Sequence, residues 1–306
     1  MRSATLSLLL SILACGTTAT REAKPEPAPK RPTATRAASD DVEAYLASLG
    51  EPSLLLLPPA RGLVCAAAAG DDDLAKKTQN PVADLISVPF QNNFSFGVGP
   101  DDDLQYVLNI QPVWPLRLND DWNLITRTIV PVIYQPELAP GFGDEFGLGD
   151  SLFTGFLSPR KPGKLIWGVG PAILIPTSTD HSLGVGQWGL GPSAVALTMH
   201  GRWVYGALLN NVWSFEGDYN AMTLQPFVNY NLPSGWYVVS APIITANWEA
   251  DSDNTWTVPI GGGAGKIFKF GKLPVNCQAQ VFYNMETPDG GARWQLRVQF
   301  QLLFPK

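Results

Sequence analysis

The sequence predicts an all-β chain, a transmembrane antiparallel β-barrel of about twelve strands behind an N-terminal segment that is disordered or removed. Three observations predict it. From Ile86 onward apolar and polar residues alternate with a period of two. The polar half of that alternation is mostly Asn, Gln and Thr rather than charge, and the connections between runs are long and short by turns.

Composition sets the outer limits. Of 306 residues 45% are hydrophobic and only 16% charged, with 29 Gly, 27 Pro and 10 Trp, which suits turn-rich β structure and not a collagenous or disordered chain. The formal charge is −6, and because residues 1–39 hold six basic and two acidic side chains, the remainder sits near −10. That excludes a nucleic-acid partner, since neutralising phosphates needs clustered Lys and Arg. Cys15 and Cys65 precede the patterned region and Cys277 stands alone within it, so no disulfide framework is implied.

The chain begins with the parts of a secretory signal peptide over 1–19: Arg2, the apolar run Leu6 to Ala14, then small residues. The run is too short to span a bilayer. Ile12-Leu13-Ala14-Cys15 resembles a lipobox, which makes Cys15 a candidate lipidation site; ordinary cleavage near Ala19 is the alternative. Residues 20–69 read as a Pro/Ala-rich linker or a second processed segment. Arg21 to Ser39 buries nothing and should be an extended tether. Leu54–Leu57 and Leu63–Ala69 resemble another export run, broken by Pro58, Pro59 and Arg61, so a transmembrane helix is the poorer reading. Residues 70–85 are then a periplasmic segment and 86–306 the barrel.

The C-terminal strand shows the code most plainly. Trp294, Leu296, Val298, Phe300, Leu302 and Phe304 alternate with Gln295, Arg297, Gln299 and Gln301, placing six apolar side chains on one face. The same period runs through Leu104–Trp114, Met222–Tyr230 and Val275–Tyr283. It predicts strands near 86–96, 104–117, 122–135, 147–157, 164–176, 187–199, 202–215, 221–232, 236–249, 255–270, 273–285 and 293–304. If both ends of the barrel chain are periplasmic, the odd-numbered connections face outward and are the longer ones, with 158–163 as the exception. Trp114, Trp122, Trp203, Trp236, Trp256 and Trp294 fall near strand ends, where an interfacial girdle places them. The alternative is a soluble twelve-strand barrel with the period inverted, apolar inside and amides outside.

The segments 79–99 (QNPVADLISVPFQNNFSFGVG), 123–136 (NLITRTIVPVIYQP), 164–177 (KLIWGVGPAILIPT), 224–232, 244–276 and 294–306 resemble a widespread family of uncharacterised bacterial outer-membrane barrels. Its members are labelled as transporters or, misleadingly, as neuromedin U-like, and are distantly similar to the barrel encoded with phenol meta-cleavage pathways. The resemblance implies a barrel in the bacterial outer membrane and a hydrophobic or aromatic solute, and it carries no catalytic residues.

Function should therefore lie in the lumen. The inward positions predicted to line it are Arg127, Arg297, Glu249, Gln111, Gln225, Asn229, Gln280 and Gln299, with Lys269 a further inward charge and Tyr237, Phe227 and Phe282 narrowing the space. The charges mark either a solute path or a structural plug. A hydrolase would need a base beside a nucleophile, yet His181 and His200 are the only histidines and fall in predicted connections on opposite sides of the membrane. No catalytic residue is assigned. Gly261–Lys266 lacks the phosphate-loop pattern and context, and reads instead as a bend or as room for a bulky neighbour, so no cofactor is expected. Asp101–Asp103 and Asp251–Asn254 lack calcium-loop spacing, so no metal is expected either.

Pro89, Pro112, Pro131, Pro171, Pro192, Pro226, Pro242 and Pro259 lie inside predicted strands, where each deletes a ladder donor. They predict either gaps in the wall through which an apolar solute leaves sideways, or simple protection against misassembly. The expected partners are membrane lipids, the barrel-assembly machinery and a small-molecule solute. The leading function is a passive channel for small molecules; a closed structural or ligand-binding barrel comes second and an outer-membrane hydrolase third.

Overall fold

The computed structural model describes residues 76–304 except 77, 139–142, 162, 218 and 272. The signal segment 1–19, Cys15, the linker 20–69 and the first residues of 70–85 lie outside the described residues.

Among the described residues fifteen β-strands form one antiparallel sheet that closes on itself. They are β1 (Ile86–Val98), β2 (Asp103–Ile110), β3 (Val113–Arg117), β4 (Trp122–Gln135), β5 (Glu145–Leu148), β6 (Ser151–Pro159), β7 (Leu165–Ile175), β8 (Gly189–His200), β9 (Trp203–Ser214), β10 (Asn220–Asn231), β11 (Trp236–Ser240), β12 (Ile244–Asn247), β13 (Trp256–Phe270), β14 (Leu273–Glu286) and β15 (Trp294–Phe304). β2 with β3, β5 with β6 and β11 with β12 are each one pass of the wall with an interruption, so the wall has twelve passes. β1 pairs with β15 from Ile86↔Phe304 to Phe96↔Trp294, which closes the sheet and leaves no edge.

The period-two code is the one the bilayer requires. On β15 Phe300 is 49% exposed on the outside, while its neighbour Gln301 is 8% exposed on the inside. On β1 the inward Ser87, Gln91, Asn93 and Ser95 are all buried. The inverted, soluble alternative is thereby excluded. Asn92 is an outward amide, and it is satisfied by the Tyr106 hydroxyl at 2.8 Å and the Val298 carbonyl at 3.1 Å, as lipid exposure demands.

Both ends of the barrel chain, Ile86 and Phe304, lie at one end of the barrel, here the terminal end; the connections there are short. The opposite end, the loop end, carries 136–144, 176–188, 248–255 and 287–293. Outward-facing aromatic side chains stand at both ends, with Trp203 against Tyr230 and Trp122 against Trp167 at the terminal end. Trp248 against Trp256 and Tyr283 against Trp294 do the same at the loop end. Lys266 faces outward with its ammonium 4.9 Å from the Trp236 ring, an amphipathic side chain at the interface.

The prolines explain the interruptions. Pairing runs unbroken through Pro89 on its β15 side and Pro226 on its β9 side. It lapses where Pro112 parts β2 from β3, where Pro242 parts β11 from β12, and beside Pro171 and Pro192. Register is kept across these breaks, because a proline removes one donor without adding a residue. The bulge at Gly149–Asp150, opposite Pro131, is different: it adds a residue and shifts β5 against β6.

Candidate functional site

The interior is two-sided. Inward residues of β4, β6, β8 and β9 form an apolar cluster of Ile125, Phe156, Val195, Leu197, Val204 and Leu208 near the terminal end. A second, of Ala172, Leu174 and Val212 with Leu152 and Tyr219, lies toward the loop end. The opposite wall, from β10 round to β2, carries amides, interrupted by a third apolar cluster of Tyr237, Val239, Ala241 and Ile267 with Phe227 packed against it. The two meet at a cavity of about 170 Å³ inside the barrel.

Arg127, Gln111, Gln225, Asn229 and Gln299 line that cavity, together with Gln91, Val113, Phe227 and Val239. Arg297 is inward and 2% exposed but is not among the residues that border the cavity. Gln280, also buried, accepts a hydrogen bond from the Ala241 amide at 3.0 Å. Glu249 is not a lumen residue. β12 ends at Asn247, whose side chain caps the Glu249 amide at 3.1 Å, and Glu249 stands exposed in the loop beyond. Its inward parity counts for nothing once the strand has stopped. Lys269 keeps inward parity at the terminal end, where it is exposed.

The amides are strung between the two guanidiniums. Arg127 donates to the Gln111 carbonyl oxygen, Gln111 to Gln91 at 3.4 Å, Gln91 to Asn93 at 3.1 Å, and Arg297 Nε also to Asn93 at 3.1 Å. A cation at each end dictates which way every amide points. Arg297 further donates to the Ala241 carbonyl at 2.7 Å and to Gln295 at 3.1 Å, and its guanidinium lies 4.8 Å from the Phe282 ring centre. Among the described residues the ion pairs are Arg117–Asp120 and Arg160–Asp120, both in terminal-end turns, so neither lumenal arginine has a carboxylate partner there.

Three further elements shape the lumen. Residues 78–85 enter the terminal end, where Val82, 6% exposed, joins the first apolar cluster and Gln79 exchanges two hydrogen bonds with Asn231, at 2.9 and 3.1 Å. At the loop end Asp150 accepts hydrogen bonds from the Ser178, Val185 and Gly186 amides at 3.1, 2.6 and 2.9 Å, which draws 176–188 inward and buries Leu183. Tyr219 packs beneath; its burial, and then the charge of Asp150, raise its phenol above the ordinary range. Tyr237, fully inward, donates to Asn276 at 2.6 Å and fills the space beside Gly265, where a Cβ would lie 2.3 Å from its ring. The glycine run thus makes room for an aromatic neighbour.

Sequence alone does not single out Asp150 or the relay amides Gln91 and Asn93. The last two are visible as alternate positions in the run Gln91-Asn92-Asn93-Phe94-Ser95. Nothing local marks Asp150, because its partners lie 28 to 36 residues on. His181 is exposed in the loop-end segment and His200 exposed at the terminal end of β8, so the barrel keeps them apart.

On the outer surface a second, almost wholly apolar depression is lined by Gly170, Pro171, Leu190, Gly191, Pro192 and Trp213. It lies where pairing lapses on both flanks of the Pro171↔Pro192 pair. Gly170 lies so close to the Gly155 carbonyl that a Cβ there would meet it at 1.7 Å.

A closed twelve-pass barrel with an apolar outer belt, outward aromatic side chains at both ends and buried amides within is a transmembrane protein of the bacterial outer-membrane class. No family model and no curated protein matches the chain. Among solved structures it is similar to the COG4313 outer membrane channel from Pseudomonas putida F1, at 17% identity and a TM-score of 0.55 over 72% of this chain and 94% of that one. It is also similar, with a TM-score of 0.41 and 10% identity, to the CymD monoaromatic hydrocarbon channel, over 78% of this chain and 93% of that one. The first likeness is one of fold.

Proposed function

We propose that this barrel is a passive channel that carries small molecules across the bacterial outer membrane. The observation that carries the reading is the hollow within the barrel, bordered by amides, Arg127 and apolar side chains and by residues 78–85, which are not wall, while a second segment that is not wall, 176–188, is held inward by Asp150 at the loop end. Segments of that kind can move without breaking the barrel, whereas a purely structural barrel has no need of a hollow. The Pseudomonas putida barrel of similar fold is an outer membrane channel, which agrees with this reading. Apolar lining at Leu208, Phe227 and Val239 favours solutes with apolar area, and the wall is least paired, on its lipid side, at the depression around Pro171 and Pro192.

The second reading is a closed ligand-binding barrel, favoured by the burial of Val82 among six lumenal apolar residues. Single-channel recording in planar bilayers separates the two. The channel reading expects discrete conductance steps that grow when Val82 is replaced by Asp. Silence in both the wild type and Val82→Asp supports the closed barrel. An enzymatic role finds no support in the placement of His181 and His200.

A further inference from the structure

We infer that the lumen contains a binding site for a small organic carboxylate with an apolar body, anchored by Arg127. The inference deepens the channel reading and rests on it only for how the solute arrives.

The two lumenal arginines differ in what their donors do. Arg297 spends Nε, Nη1 and Nη2 on Asn93, Ala241 and Gln295 and lies against Phe282, so its role is internal. The Arg127 side chain has a single bonded partner among the described residues, Gln111, and borders the cavity. A guanidinium carries five N–H donors in a planar fork and keeps its charge. The other donors of the Arg127 fork have no hydrogen-bond partner among the described residues, and the cavity it borders offers no carboxylate: among the described residues no Asp or Glu lines it. An enclosed cation without a counter-charge is costly, and a carboxylate bound two-pronged is the group whose shape the fork fits.

The rest of the lining selects the body of the ligand. Val113, the cross-strand partner of Arg127, lies beside it, and Leu208, Phe227 and Val239 line the same hollow. Gln225 and Gln299 supply neutral donors and acceptors for a remaining polar atom. At about 170 Å³ the cavity is close to the roughly 150 Å³ that holds a benzene ring. The class is thus one ring, or a short chain of similar volume, bearing a single carboxylate.

Isothermal titration calorimetry on the purified full-length protein tests this with benzoate, its neutral counterpart benzamide, and acetate, which keeps the charge without the body. Benzoate is expected to bind at least tenfold more tightly than either. Arg127→Gln should lower benzoate affinity at least tenfold and leave benzamide unchanged, while Arg127→Lys retains part of the preference. Benzamide or acetate within tenfold of benzoate overturns the proposal, as does an unchanged benzoate affinity in Arg127→Gln. Should Arg127→Gln fail to fold, the three ligands on the wild type still decide. Conductance measured in parallel keeps the readings apart: benzoate binding without conductance sustains the site and removes the channel, and conductance without benzoate binding does the reverse.

Discussion

Replacing Asp150 by Ala should release the loop-end segment. The carboxylate receives the amides of Ser178, Val185 and Gly186, and no other side chain among the described residues is hydrogen-bonded to those three amides. A hydrogen bond to a charged acceptor contributes about 1.5–3 kcal/mol net when buried. Asp150 is half-buried and the freed amides regain water as the segment lifts, so the three together should contribute about 2–4 kcal/mol to closure. That raises the open population roughly 30- to 700-fold at about 1.4 kcal/mol per decade. Asp150→Asn, which keeps one carbonyl acceptor, should fall between. Amide hydrogen exchange across 176–188 in lipid nanodiscs reads the effect directly, with strands β8 and β9 as internal reference. Equal protection of the Val185 and Gly186 amides in the wild type and Asp150→Ala would falsify the assignment of Asp150 as the tether.

Arg297→Met should destabilise the folded barrel by about 2–5 kcal/mol, because two buried acceptors, on Asn93 and Ala241, and the half-buried Gln295 lose a charged donor at once; urea unfolding in vesicles measures it. Gly265→Ala should cost about 1–3 kcal/mol by driving a methyl into the Tyr237 ring, and Tyr237→Ala in the same chain should recover much of that loss; a double-mutant cycle with no coupling sinks the packing argument. Phe300→Arg, on the outward face, should cost about 2–4 kcal/mol in folding into lipid, while Gln299→Arg next to it should cost far less. Equal penalties at those two positions would mean that the outward face of β15 does not meet lipid.

Much of this architecture is legible in the order of residues. The alternation in Trp294–Phe304 assigns each side chain a face without knowledge of its neighbours, because a strand turns over every residue and a bilayer accepts only one kind of face. The strand count follows, since turns punctuate such runs. Glu249 marks the limit of parity: the alternation carries on through a loop on paper, but the strand ends two residues earlier at Asn247.

Everything that distinguishes one lumen from another arises from pairs far apart in the chain. Arg127 and Arg297 are the same residue type at the same inward parity, yet one is consumed by Asn93, Ala241 and Gln295 and the other opens on a hollow. Periodicity is a property of a single strand, so it reports the face; how many partners a side chain finds there depends on which other strands curve round to meet it. Closure of the sheet brings residues 78–85 to Asn231 and Asp150 to Gly186, and no local signal encodes those meetings.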